Sequence, residues 1–237
     1  MVTKLKSVFL NPQSGLLFKT VIFAGFLLLS RMGGFTLLPV TLLVLVSIIL
    51  YARPLFRTVK FLSSFSIFLA SVVAFNLTFR DNWDFVFSLI YFSSVLFILL
   101  GVKDLILIRR EVWGRLVNCL IAYPVFLIFF YYYQFLSNIW YLLVLFFIIL
   151  LLSKNIIPSR LFYWLTPLVI SQLAWASSFL PIGFVGAANL SLLSYVTLVL
   201  FLDEHLAGTL GRKKILLLGT VFILLLVAIL GVSGWKF

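Results

Sequence analysis

Hydrophobic positions along this chain fall into long apolar runs, broken at short intervals by glycine, proline or a few charges. Two runs carry no charge at all: Leu116 to Ser153, 38 residues, and Leu161 to Leu202, 42 residues. A straight helix rises about 1.5 Å per residue, so either run would overshoot a hydrocarbon core about 30 Å thick. Each must therefore fold back once. The first breaks at "YYYQFLSN" (Tyr131–Asn138), the second at "LPIGFVG" (Leu180–Gly186), where proline and glycine interrupt helix.

The same pattern predicts nine spans, near residues 16–31, 36–52, 59–79, 85–102, 115–133, 137–153, 161–180, 185–202 and 214–233. Arg31 to Gly34 separates the first two, and "RDNWD" (Arg80–Asp84) the third and fourth. The fifth and sixth are short for a full crossing. The expected fold is all-α: a polytopic membrane bundle forming one transmembrane domain over 1–237, with no soluble domain on either side.

Composition agrees. Of 237 residues, 64% are hydrophobic and 10% charged, where a soluble domain carries about 45–50% and about 25%. No soluble core hides that much apolar surface, so the expected solvent is lipid. A single cysteine, Cys119, rules out an internal disulfide. The first apolar run lacks a small-residue cleavage site and is expected to be a retained helix.

Charge then orients the threading. With a cytoplasmic N-terminus, 15 of the 18 lysines and arginines fall on inside segments, leaving Arg31, Arg80 and Lys236 outside. That bias is the positive-inside rule, and it places the C-terminus outside. Trp83, Trp113, Trp140, Trp164 and Trp235 fall at predicted span ends, where an amphipathic ring prefers the headgroup level. The net charge of +12 is scattered over five inside segments, which points to anionic lipid and not to nucleic acid. A small, loop-poor, cysteine-poor chain of this kind suits a cell membrane, and a prokaryotic plasma membrane in particular.

Four stretches could carry chemistry. "DEHLAGTLGRKK" (Asp203–Lys214) holds the only histidine. Asp203, Glu204 and His205 are consecutive, so on a helix they point about 100° apart and do not converge on a metal. The expected reading is a helix end and a turn at Gly208 and Gly211, with the basic triplet answering the acids. The catalytic alternative is headgroup chemistry by Asp203, Glu204 and His205. "NLTFRDNWD" (Asn76–Asp84) offers Asp81 and Asp84, too few oxygens for calcium, and Arg80 is expected to pair with one of them. "KDLILIRREVWGR" (Lys103–Arg115) reads as an anchor or short surface helix. Arg109, Arg110, Arg212, Lys213 and Lys214 are the expected headgroup contacts.

The fourth stretch, the hairpin 161–202, is the most polar at membrane depth and the best candidate binding site, through Gln172, Trp175, Ser178, Asn189, Ser194 and Tyr195. Gln172, Trp175 and Ser178 or Phe179 follow helical spacing and share a face, expected to turn toward protein or a cavity. Small-residue stripes at Gly183, Ala187 and Ser191, and at Ser66, Ala70 and Ala74, predict close helix packing. Pro39, Pro124 and Pro167 could kink their helices.

No metal and no cofactor is expected, and no acid lies mid-span, which disfavours proton-coupled transport. The function expected first is a non-enzymatic subunit or scaffold of a membrane complex, with lipids and other membrane subunits as partners. The second is a transporter or flippase for a lipid-like or weakly polar solute, with its site in 161–202. The third is an enzyme acting on lipid headgroups at the cytoplasmic face.

Overall fold

Long runs of leucine, isoleucine, valine and phenylalanine lose nothing by forming helix in lipid, because every backbone group is then bonded internally. The computed structural model of the chain describes residues 12–52, 61–104, 110–136, 139–154, 157 and 159–233. Among them are nine helices and no strand: α1 (Pro12–Met32), α2 (Leu37–Ala52), α3 (Leu62–Thr78), α4 (Asn82–Lys103), α5 (Arg110–Leu136), α6 (Ile139–Ser153), α7 (Arg160–Ser177), α8 (Phe184–Leu206) and α9 (Arg212–Val232). Five of the nine are long and apolar enough to cross a membrane, lying within α1, α4, α5, α8 and α9. Helices α2, α3 and α6 are apolar but shorter.

The helix ends fall where the sequence has breakers. After α1, Gly34 adopts φ +66°, and Phe35 N–H bonds Ser30 O while Gly34 N–H bonds Arg31 O. That is a Schellman turn, which wants glycine at the left-handed position. Its neighbour Gly33 is fixed by space: a Cβ there would come within 2.6 Å of Pro39 Cγ. The end of α8 repeats the device, with Gly208 at φ +67° and bonds from Thr209 N–H to Glu204 O and Gly208 N–H to His205 O. Between α7 and α8, Pro181 sits in a short non-helical link from Ser178 to Gly183. Pro124 and Pro167 lie inside α5 and α7 without ending them.

The chain divides into two compact units, Met1–Asn118 and Cys119–Phe237, the boundary falling within α5. In the first unit the core is aromatic. Tyr51 stacks on Phe65 at 4.0 Å, and Phe68 and Phe75 meet the Phe92 ring edge-on at 5.9 and 5.7 Å. Polar bonds also cross between helices here: Ser64 Oγ donates to Asn118 Oδ1 at 2.7 Å, Ser88 Oγ to Asn76 Oδ1 at 2.9 Å, and Ser30 Oγ to Pro39 O at 3.1 Å. The expected stripe of Ser66, Ala70 and Ala74 is corrected. Ser66 and Ala70 are exposed, and α3 instead buries Ser64, Phe65, Phe68, Ser71, Val72 and Phe75. Bulky rings fill the space that a small-residue approach would have closed.

In the second unit α8 carries the close contacts, burying Gly186, Ala187, Ala188, Ser191, Tyr195, Val199 and Leu202. Ala187 and Ser191 fall in this stripe as expected, but Gly183 does not. It caps the helix in extended conformation with open space where a Cβ would go. The tight position is Gly186, where a Cβ would run into the Ser233 side chain just past α9. Helix α9 lies along α8 yet buries none of its own residues.

Candidate functional site

The opening candidate, Asp203 to Lys214, is built as a helix end, a turn and a helix start. Glu204, in the last turn of α8, accepts from the Thr209 hydroxyl and from Lys214 Nζ, tying α8 to the first turn of α9. His205 is exposed and lies parallel to the Phe201 ring at 6.3 Å, with Phe162 edge-on at 5.9 Å. One acid is thus held by its own loop and the imidazole by aromatic rings, with no convergence of the three side chains on a point. Arg212 and Lys213 are exposed beside them.

At Asn76–Asp84 the expected partnership of Arg80 is corrected. No ion pair joins Arg80 to Asp81 or Asp84 among the described residues; its Nε donates to Leu77 O at 3.3 Å. Arg31, from the end of α1, comes across instead, donating to Arg80 O and to Asn82 Oδ1 at 3.2 Å, with its guanidinium 5.5 Å from the Phe85 ring centre. In the link Lys103–Arg115, residues 105–109, and with them Arg109, lie outside the described residues, as do the Arg110 side chain and Trp235.

A charged cluster that spacing along the chain does not reveal lies in the first unit. Lys103 is fully buried at the last residue of α4. Its ammonium donates to Tyr51 O, lies 4.7 Å from the Tyr51 ring centre and 3.8 Å from Asp104 Oδ1. Lys19 of α1 completes the group, 3.1 Å from Asp104 Oδ2. A lysine taken out of water survives only with such partners: a carboxylate, a carbonyl and an aromatic face. Two signals pointed to it, a lysine inside the apolar run of α1 and the lone acid following Lys103. Their separation of 85 residues hid the connection.

The six polar positions proposed on the 161–202 hairpin do not gather into one site. Tyr195 is fully buried, while Asn189 and Ser194 are half-buried, the Ser194 hydroxyl bonding its own helix at Leu190 O, 2.9 Å away. Gln172 and Trp175 are exposed on α7. Ser178 alone lines a cavity, of about 310 Å³, with Phe130, Tyr133, Gln134, Ser177, Phe179, Ile182 and Ala187. Its walls are aromatic and its polar groups uncharged. The Ser177 and Ser178 hydroxyls donate to Leu173 O and Trp175 O, leaving oxygen lone pairs as what they can offer a guest.

Deeper in the second unit, Ser153, Ser191 and Tyr195 carry buried hydroxyls without a hydrogen-bond partner. The Tyr195 and Ser153 hydroxyls face each other outside hydrogen-bond geometry, near the Cys119 thiol. Compared with protein-family models, with curated proteins and with solved structures, the chain matches none.

Proposed function

We propose that this protein is a non-enzymatic component of a membrane assembly, a subunit or scaffold threaded nine times through a cell membrane. On this reading the N-terminus is cytoplasmic and the C-terminus outside, and the membrane is a prokaryotic plasma membrane. One observation carries the reading: Gln172 and Trp175 stand on the exposed side of α7 among leucines. The Ser64, Ser88 and Ser194 hydroxyls, by contrast, bond to a neighbouring helix or to their own. An amide facing hydrocarbon costs on the order of 4 kcal/mol or more, so such a face calls for protein against it. Exposed Arg212 and Lys213 then meet anionic headgroups at the inner surface.

The test is extraction of the tagged full-length chain in a lipid-preserving polymer, followed by mass spectrometry of its proteins and lipids. The expected result is a partner, or a further copy of the chain, in fixed stoichiometry. A lone monomer overturns the reading.

The 310 Å³ cavity favours a second reading, the carriage of a lipid-like or weakly polar solute, because it reaches the volume of a small-molecule site and bears no charge. A lone protein enriched in one such molecule, lost on Ser178→Trp, would move the conclusion there.

A further inference from the structure

The cavity beside Ser178 is built where helices of the second unit end. Phe130, Tyr133 and Gln134 come from the last two turns of α5, Ser177 ends α7, and Ser178 and Phe179 open the link to α8. Its floor is buried and its mouth open: Phe130 is 2% exposed and Phe179 69%. Two of its three rings are held by further rings. Phe129 stacks on Tyr133 at 5.3 Å, and Trp175 meets Phe179 edge-on at 5.1 Å.

The fixed chemistry of these walls favours positive charge. An aromatic face carries the negative part of the ring quadrupole. The Ser177 and Ser178 protons are given to Leu173 O and Trp175 O, so both oxygens have only lone pairs to offer. Helices α5 and α7 both end here, bringing the negative ends of two helix dipoles, and the positive end of α8 at Ala187 offsets one of them. The half-buried Tyr133 hydroxyl and the exposed Gln134 amide can present either a donor or an acceptor. Among the described residues no charged side chain lines the space.

We infer that this cavity binds a quaternary ammonium group, a choline-type cation free in solution or carried on a lipid headgroup. A primary ammonium holds its water tightly and needs an acceptor for each proton. A quaternary one has no N–H and asks only for ring faces and oxygen lone pairs. An anion finds no charge there to pair with. A neutral solute of the same shape gains the apolar contact alone. At about 310 Å³ the cavity is at the small end of ligand sites, with room for a headgroup and not for the chains behind it. The inference goes beyond both readings above, because it holds whether the chain is a subunit or a carrier.

The test is equilibrium binding of labelled choline to the full-length chain in nanodiscs of phosphatidylglycerol. Saturable binding displaced by tetramethylammonium is expected. The neutral isostere of choline, with carbon in place of nitrogen, is expected to bind about 10-fold more weakly or worse. Phe179 is exposed, so the chain folds without its ring. Phe179→Leu should lower choline affinity about 2- to 5-fold, as for a ring at an open rim, change the isostere less, and be reversed by Phe179→Trp. Ser178→Trp, which fills the space, should abolish binding. Adding phosphatidylcholine to the discs separates the two sources: suppressed choline binding makes the headgroup the occupant, and unchanged binding makes it the free cation. Equal affinity for choline and its isostere overturns the cation and returns the cavity to a weakly polar solute. Choline binding that survives Ser178→Trp overturns the cavity as its site. No saturable binding in phosphatidylglycerol overturns the inference and leaves the subunit reading, which rests on Gln172 and Trp175, standing.

Discussion

The two units treat buried polarity in opposite ways. In the first, polar groups between helices meet polar partners, Ser64 with Asn118, Ser88 with Asn76, and both Lys103 and Lys19 with Asp104. Two atoms depart from this: the Ser93 hydroxyl, at a groove it shares with Leu17, Thr20 and Phe97, has no hydrogen-bond partner, and Asp104 Oδ1 faces Lys103 at 3.8 Å without a hydrogen bond. In the second unit, apolar contact along α8 does the packing, and the Ser153, Ser191 and Tyr195 hydroxyls are buried unmatched. A matched bond in a bundle specifies which helices meet and at what register, and is costly to break from one side. An unmatched hydroxyl specifies nothing, and its removal carries little cost. The first unit is therefore held by particular residues, the second by shape.

The sharpest way to break that contrast is at the charge cluster. Asp104→Asn takes the carboxylate away from the buried Lys103 ammonium, which lies against the Tyr51 carbonyl and ring. Removing one partner of a buried pair costs about 3–5 kcal/mol, and with Asp104 partly in reach of solvent the expected loss is near the lower figure, about 3 kcal/mol. Reversible unfolding in mixed detergent–lipid micelles would measure it, and Lys103→Met with Asp104→Asn should recover part of it. A loss under about 1 kcal/mol would mean that Lys103 reaches water and that the cluster does not lock α1, α2 and α4 together.

A smaller effect is expected at the neutral pair. Ser64→Ala removes the donor to Asn118 and leaves a buried amide oxygen unbonded. Interhelical bonds of this kind are worth about 0.6 kcal/mol on average and about 1.7 at most, so the expected loss is about 1 kcal/mol in the same unfolding experiment. Asn118→Leu together with Ser64→Ala should cost less than the single change, because no polar atom is then stranded.

These residues also mark how far the sequence could be read. Helix positions and breaks were legible because they are local: glycine where φ is positive at Gly34 and Gly208, proline in the link before α8, aromatic rings at helix ends. Among the described residues nine helices overlap the predicted spans, and five of these helices are long and apolar enough to cross a membrane. Pairing was not legible. Arg80 looked bound to the acids beside it until Arg31, 49 residues earlier, took its carbonyl. The Ser66 stripe has the same spacing as a packing face, and only the position of the neighbouring rings turns it outward. Of the face expected from periodicity, Gln172, Trp175 and Phe179 are exposed while Ser178 is half-buried at a cavity. Periodicity could not give the direction, since a helix apolar on most sides reads alike whether the polar side looks inward or at a partner.

The smallest predicted effect has the opposite sign and is the most direct test of the contrast. Tyr195 is fully buried, its ring edge-on to Phe126 at 6.5 Å, with its hydroxyl unpartnered. Tyr195→Phe keeps the ring and that contact and deletes only the stranded oxygen. Since an unsatisfied buried group costs about 1–3 kcal/mol relative to its paired state, the change should leave stability unaltered or raise it by up to about 1 kcal/mol, where Ser64→Ala lowers it. A loss above 1 kcal/mol would show that the Tyr195, Ser153 and Ser191 hydroxyls share a polar guest such as a buried water. The second unit would then be held by a matched network of its own, and the difference between the two would vanish.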